Sequence, residues 1–97
     1  MNAARGEHVL VLANQRARLC LTLGALAEIE TALECRSMSE LTGRLARLSA
    51  RDLTAVLAAL LRGAGEDELA ARLPELQVSP ADAAGAVAET FRRALEE

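Results

Sequence analysis

Between Leu19 and Glu30 the chain changes its hydrophobic period almost without a break. Leu19-Cys20-Leu21-Thr22 alternates as a half-buried strand does, while Leu23-Gly24-Ala25-Leu26-Ala27-Glu28-Ile29-Glu30 repeats as a helix does. The switch falls at Thr22-Leu23-Gly24. Few small folds run a strand straight into a helix with so little loop between them. The strand must therefore lie against the helix it feeds or against that helix's neighbours.

The residues upstream supply the strand's partner. His8-Val9-Leu10-Val11-Leu12 is β-prone, Ala13-Asn14 follows, and Gln15–Thr22 alternates, with Ala17, Leu19 and Leu21 on one side and Arg16, Arg18, Cys20 and Thr22 on the other. Two short runs about an Asn-containing turn predict a β-hairpin over 7–22, although Ala-Asn is a weaker turn than Asn-Gly. Residues 1–6 read as a frayed N-terminus. A lone hairpin is marginal in water, so its apolar face should pack on helices.

The helices announce themselves by their caps. Thr22 can cap a first helix with Leu26, Ile29 and Leu33 on one stripe. Ser37-Met38-Ser39-Glu40, Ser49-Ala50-Arg51-Asp52 and Ser79-Pro80-Ala81-Asp82 each place a Ser three residues before an acid, the pattern of a reciprocal capping box. Pro80 suits the first helical position, where its missing N–H costs nothing. The second helix carries Met38, Leu41, Leu45 and Leu48. The third carries Leu53, Val56, Leu57, Leu60 and Leu61 and stops at Gly63-Ala64-Gly65. A short helix spans Asp67–Leu73 and ends at Pro74. The last runs from Pro80 to near Leu95, with Ala84, Val87, Phe91 and Leu95 along one side and Gly85 inside it, where a close helix neighbour would account for the glycine. The expected fold is mainly α with a small β element, an N-terminal hairpin and about five short helices packed as a bundle, in a single domain over 1–97 with 23–97 helical.

Composition narrows function by exclusion. Of the 97 residues 52% are apolar, yet Phe91 is the sole aromatic, so the core must be Leu, Val and Ala. A chain this size buries roughly 60–70% of its unfolded surface, enough for one modest core. The net charge is −3, and all 11 basic residues are Arg. That balance argues against nucleic acid, which needs a basic surface and, for single strands, aromatic platforms. No apolar run approaches the ~20 residues of a membrane span, and Met1–Arg5 lacks the apolar core of a signal peptide. Cys20, Cys35 and His8 have no metal-ligand spacing and no nucleophile–base arrangement, so neither a cofactor nor a metal is expected and the reading is not an enzyme.

Each remaining feature has a plain structural use. Arg44, Arg47 and Arg51 could receive an acidic or phosphate partner, or form a solvated face at a helix boundary. Arg92-Arg93 complement a helix C-terminus, and Glu66-Asp67-Glu68 open a helix. Glu28 and Glu30 lie two residues apart and do not share a helix face. Gly63-x-Gly65 follows a helix and lacks the Lys-Ser/Thr ending of a phosphate loop. The apolar surplus points instead to a protein-binding patch. The candidate contact is the face around Leu53, Val56, Leu57 and Leu60, which a core would also claim.

Gly6-Glu7-His8-Val9-Leu10, the run Leu19–Glu30, Leu48-Ser49-Ala50-Arg51-Asp52-Leu53 and Leu60-Leu61-Arg62-Gly63-Ala64-Gly65 resemble, in this order and at similar spacing, the small tail proteins of alphaproteobacterial gene transfer agents and related long-tailed prophages. These are described either as tail tube proteins or as tail assembly chaperones. The likeness covers about two thirds of the chain; residues 66–97 share only helical character. It implies a non-catalytic assembly factor in the bacterial cytoplasm that binds the tape-measure protein, and in some systems the tail tube protein, by helix-in-groove contact. The family's other description implies a structural tube or connector component, and oligomers are compatible with either role. A small helical DNA-binding or antitoxin-type regulator fits less well, because the best-capped helix pair, over 38–63, offers only scattered Arg.

Overall fold

A computed structural model describes residues 7–12 and 15–95. Strands β1 (Glu7–Leu12) and β2 (Gln15–Cys20) pair antiparallel, with His8 opposite Leu19 and Leu10 opposite Ala17. Leu10, Ala17 and Leu19 are buried, whereas Val9, Arg16 and Arg18 are exposed, so the alternation read from the sequence sets which face turns inward. Leu21, beyond the strand's end, is half-buried. The expected Ala13-Asn14 turn and the frayed 1–6 segment lie outside the described residues.

Five helices follow: α1 (Leu23–Leu33), α2 (Met38–Leu45), α3 (Ala50–Gly63), α4 (Asp67–Arg72) and α5 (Pro80–Leu95). Their caps form as the sequence requires. Ala25 N–H donates to Thr22 Oγ1 at 3.0 Å, Glu40 N–H to Ser37 Oγ at 3.2 Å, Asp52 N–H to Ser49 Oγ at 3.1 Å and Asp82 N–H to Ser79 Oγ at 3.3 Å. The acids of the first two Ser boxes work elsewhere. Glu40 Oε1 accepts from Arg36 N–H at 2.6 Å, and Asp52 Oδ2 from the Arg44 guanidinium at 2.7 Å.

Helix ends and phases depart from expectation in four places. α2 stops at Leu45, because Ser49 must be extended to cap α3, and Leu48 lies in the connection instead of on α2. Met38, expected on the inner face of α2, is 38% exposed. α4 ends at Arg72 and passes into a 3₁₀ turn over Leu73–Glu75 that takes Pro74 inside it, since that proline's fixed φ suits a turn's start. α5 buries Ala83, Ala86, Val87, Thr90 and Phe91, leaving Ala84 and Leu95 exposed. The expected stripe holds at Val87 and Phe91 and fails at Ala84, where Ala83 is buried instead, and at Leu95 near the helix end. Thr90 is tolerated inside because its hydroxyl donates to Ala86 C=O at 2.7 Å.

α3 is the central element, packed against β2, α1, α4 and α5. Val56, Leu57, Ala59, Leu60 and Leu61 join Ile29 and Leu33 of α1, Leu41 of α2, Leu69 of α4, Val87 and Phe91 of α5 and the hairpin's inner face in one cluster. Each fully buried Leu or Ile contributes roughly 1.5–3 kcal/mol relative to exposure.

The strand-to-helix joint closes on the end of α3. A Cβ added at Gly63 would lie 2.3 Å from the Cys20 carbonyl oxygen, 3.2 Å from Ala25 Cβ and 3.3 Å from Thr22 Oγ1. Only a residue without a side chain lets α3 pass there. Gly65 does the stopping: at φ 84° it lets Gly65 N–H reach Arg62 C=O at 3.0 Å and Glu66 N–H reach Leu61 C=O at 2.8 Å. The two glycines of one apparent stop signal thus have separate uses.

Candidate partner-binding site

The N-terminal halves of α3 and α5 and the segment between α4 and α5 border an open space. Leu48, Leu53, Leu57, Leu76, Val78, Pro80 and Ala84 contribute to the lining of a groove of about 570 Å³. A second hollow of about 260 Å³ shares Leu48, Leu53 and Ala84 and continues along Val87, Ala88 and Phe91. Thr54 is the one polar side chain among the lining residues, and its hydroxyl is satisfied by Ala50 C=O at 2.8 Å. The lining side chains are therefore apolar apart from Thr54.

Local sequence explains the shape. Ser49 and Ser79 start two helices whose first turns carry Ala50, Ala81, Ala83 and Ala84, too small to fill the gap between the axes. Pro74 and Pro80 bracket a connection in which Leu76 and Val78 are only partly buried against the core.

The face expected to bind a partner divides between core and groove. Val56 and Leu60 are 0% exposed and Leu57 2%. Leu57 also borders the groove, and Leu53 is half-buried along it. Leu48, Leu76, Val78 and Ala84 were missed. Two large apolar residues set two apart between prolines, in a segment otherwise polar, were the signal that could have found Leu76 and Val78.

The charged residues are mostly struts. Arg44 donates to Leu33 C=O and to Asp52, each at 2.7 Å, tying the end of α1 to the start of α3. The Arg18 backbone N–H donates to Glu66 Oε2 at 3.0 Å, and its guanidinium reaches Ala64 C=O at 3.3 Å. Arg62 pairs with Glu28. Arg92 and Arg93 both pair with Glu89, whose carboxyl they hold at about 2, well below its ordinary 4.5. Arg93 also donates to Glu7 C=O at 3.1 Å, fastening α5 to β1. Burial foremost, and then the Glu7 carboxylate, push the Cys20 thiol above its ordinary 9.0, against the pull of Arg18. A thiol so held is a poor nucleophile. Cys35 is free and half-buried. No group of three His, Cys, Asp or Glu able to hold a metal occurs among the described residues, and none of their helices is long and apolar enough to cross a membrane.

No curated protein and no solved structure matches the chain. A family model described as "Phage tail tube protein, GTA-gp10" matches residues 5–97, including the C-terminal third that the quoted motifs do not reach. The chain therefore belongs to this gene-transfer-agent family of phage tail proteins.

Proposed function

We propose that this chain is a non-catalytic assembly factor that binds the tape-measure protein while the tail tube is built, and is then displaced. The apolar groove between α3 and α5 carries this reading. A tape measure is a long helical protein with apolar stripes, and a trough of about 570 Å³ lined by Leu, Val, Ala and Pro suits one face of such a helix. Binding by side-chain burial, without a network of polar bonds, also suits a factor that must leave. The test is co-purification with the tape-measure protein. Native chain should retain it and Ala84→Glu, which places a charge in the groove, should not. Retention by both would sink the reading.

The family's description as a tail tube protein favours a second reading, a structural component of the tube or its connector. Against it, tube subunits are typically β-rich, while the described residues form one two-stranded sheet. Mass spectrometry of finished particles separates the two. Stoichiometric presence in the particle would establish the structural role, and absence the transient one.

A further inference from the structure

We infer that the outer edge of β1 is a strand-addition site, where an extended segment of the tape-measure protein pairs with the backbone of residues 7–11. The site follows from the hairpin alone; the partner's identity rests on the binding proposed above.

Three contacts fix which way the hairpin's backbone points. Arg18 N–H donates to Glu66 Oε2 at 3.0 Å, so it points away from β1. Arg18 stands opposite Val9, and opposed residues of an antiparallel ladder alternate between exchanging hydrogen bonds and turning both backbone groups outward. Glu7, Val9 and Val11 of β1 therefore face outward, as do Arg16, Arg18 and Cys20 of β2. Two further contacts agree: Glu7 C=O accepts from Arg93 at 3.1 Å, and the Cys20 carbonyl meets the end of α3 at Gly63.

The two edges are treated differently. That of β2 is closed at Arg18 by Glu66 and at Cys20 by α3. On β1 the closure stops at Glu7: among the described residues the outward N–H and C=O groups of Val9 and Val11 have no partner. Edge strands are ordinarily guarded by a charge, a proline or a bulge. Past Glu7, β1 has none of these. Its register is unbroken, Val9 and Val11 are β-branched and apolar, and Val9 is 41% exposed. A ladder of free N–H and C=O groups at strand spacing fits an extended chain in register. A second copy fits poorly. Antiparallel pairing of β1 with β1 turns both inner faces the same way, with the strands only about 4.8 Å apart. α5 packs on β1 more than on β2, and its Arg93 reaches the edge, so two α5 helices needing about 8–10 Å between axes would collide. A segment with no helix behind it meets no such obstacle.

The test has two arms. In the first, a Thr-Val-Thr-Val-Thr strand is tethered ahead of Met1 by a flexible Gly/Ser linker, which holds it near the edge at roughly millimolar effective concentration. It should slow hydrogen exchange at the Val9 and Val11 amides about tenfold, and the same tether with proline for its central valine should not. In the second, Val9→Pro deletes an outward donor and leaves the hairpin's own ladder intact, so it should keep the native far-UV circular dichroism and retain purified tape-measure protein about tenfold more weakly. Equal exchange with both tethers, or slow exchange at Val9 and Val11 in the dilute untethered chain, would overturn the site. Retention that survives Val9→Pro and is lost in Ala84→Glu would overturn the strand contact and leave the groove reading intact. No retention even by the native chain would overturn the groove reading and the partner named here. A dimer in sedimentation that Val9→Pro dissolves would overturn the inference and assign the edge to a second copy.

Discussion

The chain treats two of its α3 contacts in opposite ways. At its C-terminal end α3 meets the strand-to-helix joint so closely that Gly63 has no room for a methyl group. At its N-terminal end α3 borders, with α5, a trough lined by Leu53 and Ala84. Both ends carry Ala and Leu, but only the C-terminal end carries a glycine, Gly63. What differs is whether a backbone crosses them. The tight end is where the fold is secured, and the loose end is where apolar surface is left for something else. The proposed assembly role would use both, because the fold must persist while a partner comes and goes.

Substitutions that swap the character of the two ends test this contrast. The largest effect is expected for Gly63→Ala, whose new methyl would meet a backbone carbonyl that no side-chain rotation can move. A loss of about 3 kcal/mol or more in urea unfolding is expected, or failure to fold. A change under about 1 kcal/mol would mean that the joint yields to an added methyl group. Next comes a matched pair. Leu60→Ala, at 0% exposure, should cost about 2–5 kcal/mol, whereas Leu53→Ala, half-buried at the groove, should cost about 1 kcal/mol or less and weaken tape-measure retention instead. Equal costs would erase the distinction between core and groove.

Smaller gains are expected where no neighbour constrains the chain. A Cβ at Gly85 would meet nothing within 4 Å, so the close helix neighbour that the glycine suggested is absent among the described residues. Gly85→Ala should raise stability by about 0.5–1 kcal/mol, read as a higher melting temperature. Glu34 ends α1 in the left-handed region at φ 58°, where Glu34 N–H reaches Thr31 C=O at 3.2 Å and Cys35 N–H reaches Glu30 C=O at 2.9 Å. Glu34→Gly should relieve that conformation by a similar amount, about 0.5–1 kcal/mol.

The smallest effect is pH-dependent. The Glu89 carboxyl falls from 4.5 to about 2 on folding, so its pairing with Arg92 and Arg93 supports the native state fully above 4.5 and is lost as pH falls toward 2. The acid limb of a stability profile should therefore be shallower in Glu89→Gln across that window. An unchanged limb would show that these pairs within α5 add nothing to the stability of the fold.

Most of the architecture was legible before any coordinates. Thr22, Ser37, Ser49 and Ser79 mark helix starts because a side-chain oxygen must satisfy an amide that no helical carbonyl reaches, and that need is local. Period-two and period-3.6 patterns placed the hairpin and α1 for the same reason. The tail family was legible too, through the ordered motifs from Gly6 to Gly65, and the family match extends it over 5–97. Packing was another matter. The core phase of α5, the release of Leu48 from α2 and the groove itself depend on where one helix lies relative to another. Side chains as small as Ala83 and Ala84 give no hydropathy contrast by which to choose the buried one. Gly63 shows the limit most plainly. In sequence it reads as half of a helix stop, and only the Cys20 carbonyl, 43 residues away along the chain and 2.3 Å from where a Cβ would sit, makes it the point on which the joint closes. Caps and periods are properties of neighbouring residues, so the sequence determines them alone; clearance between distant backbones exists only once the chain has folded.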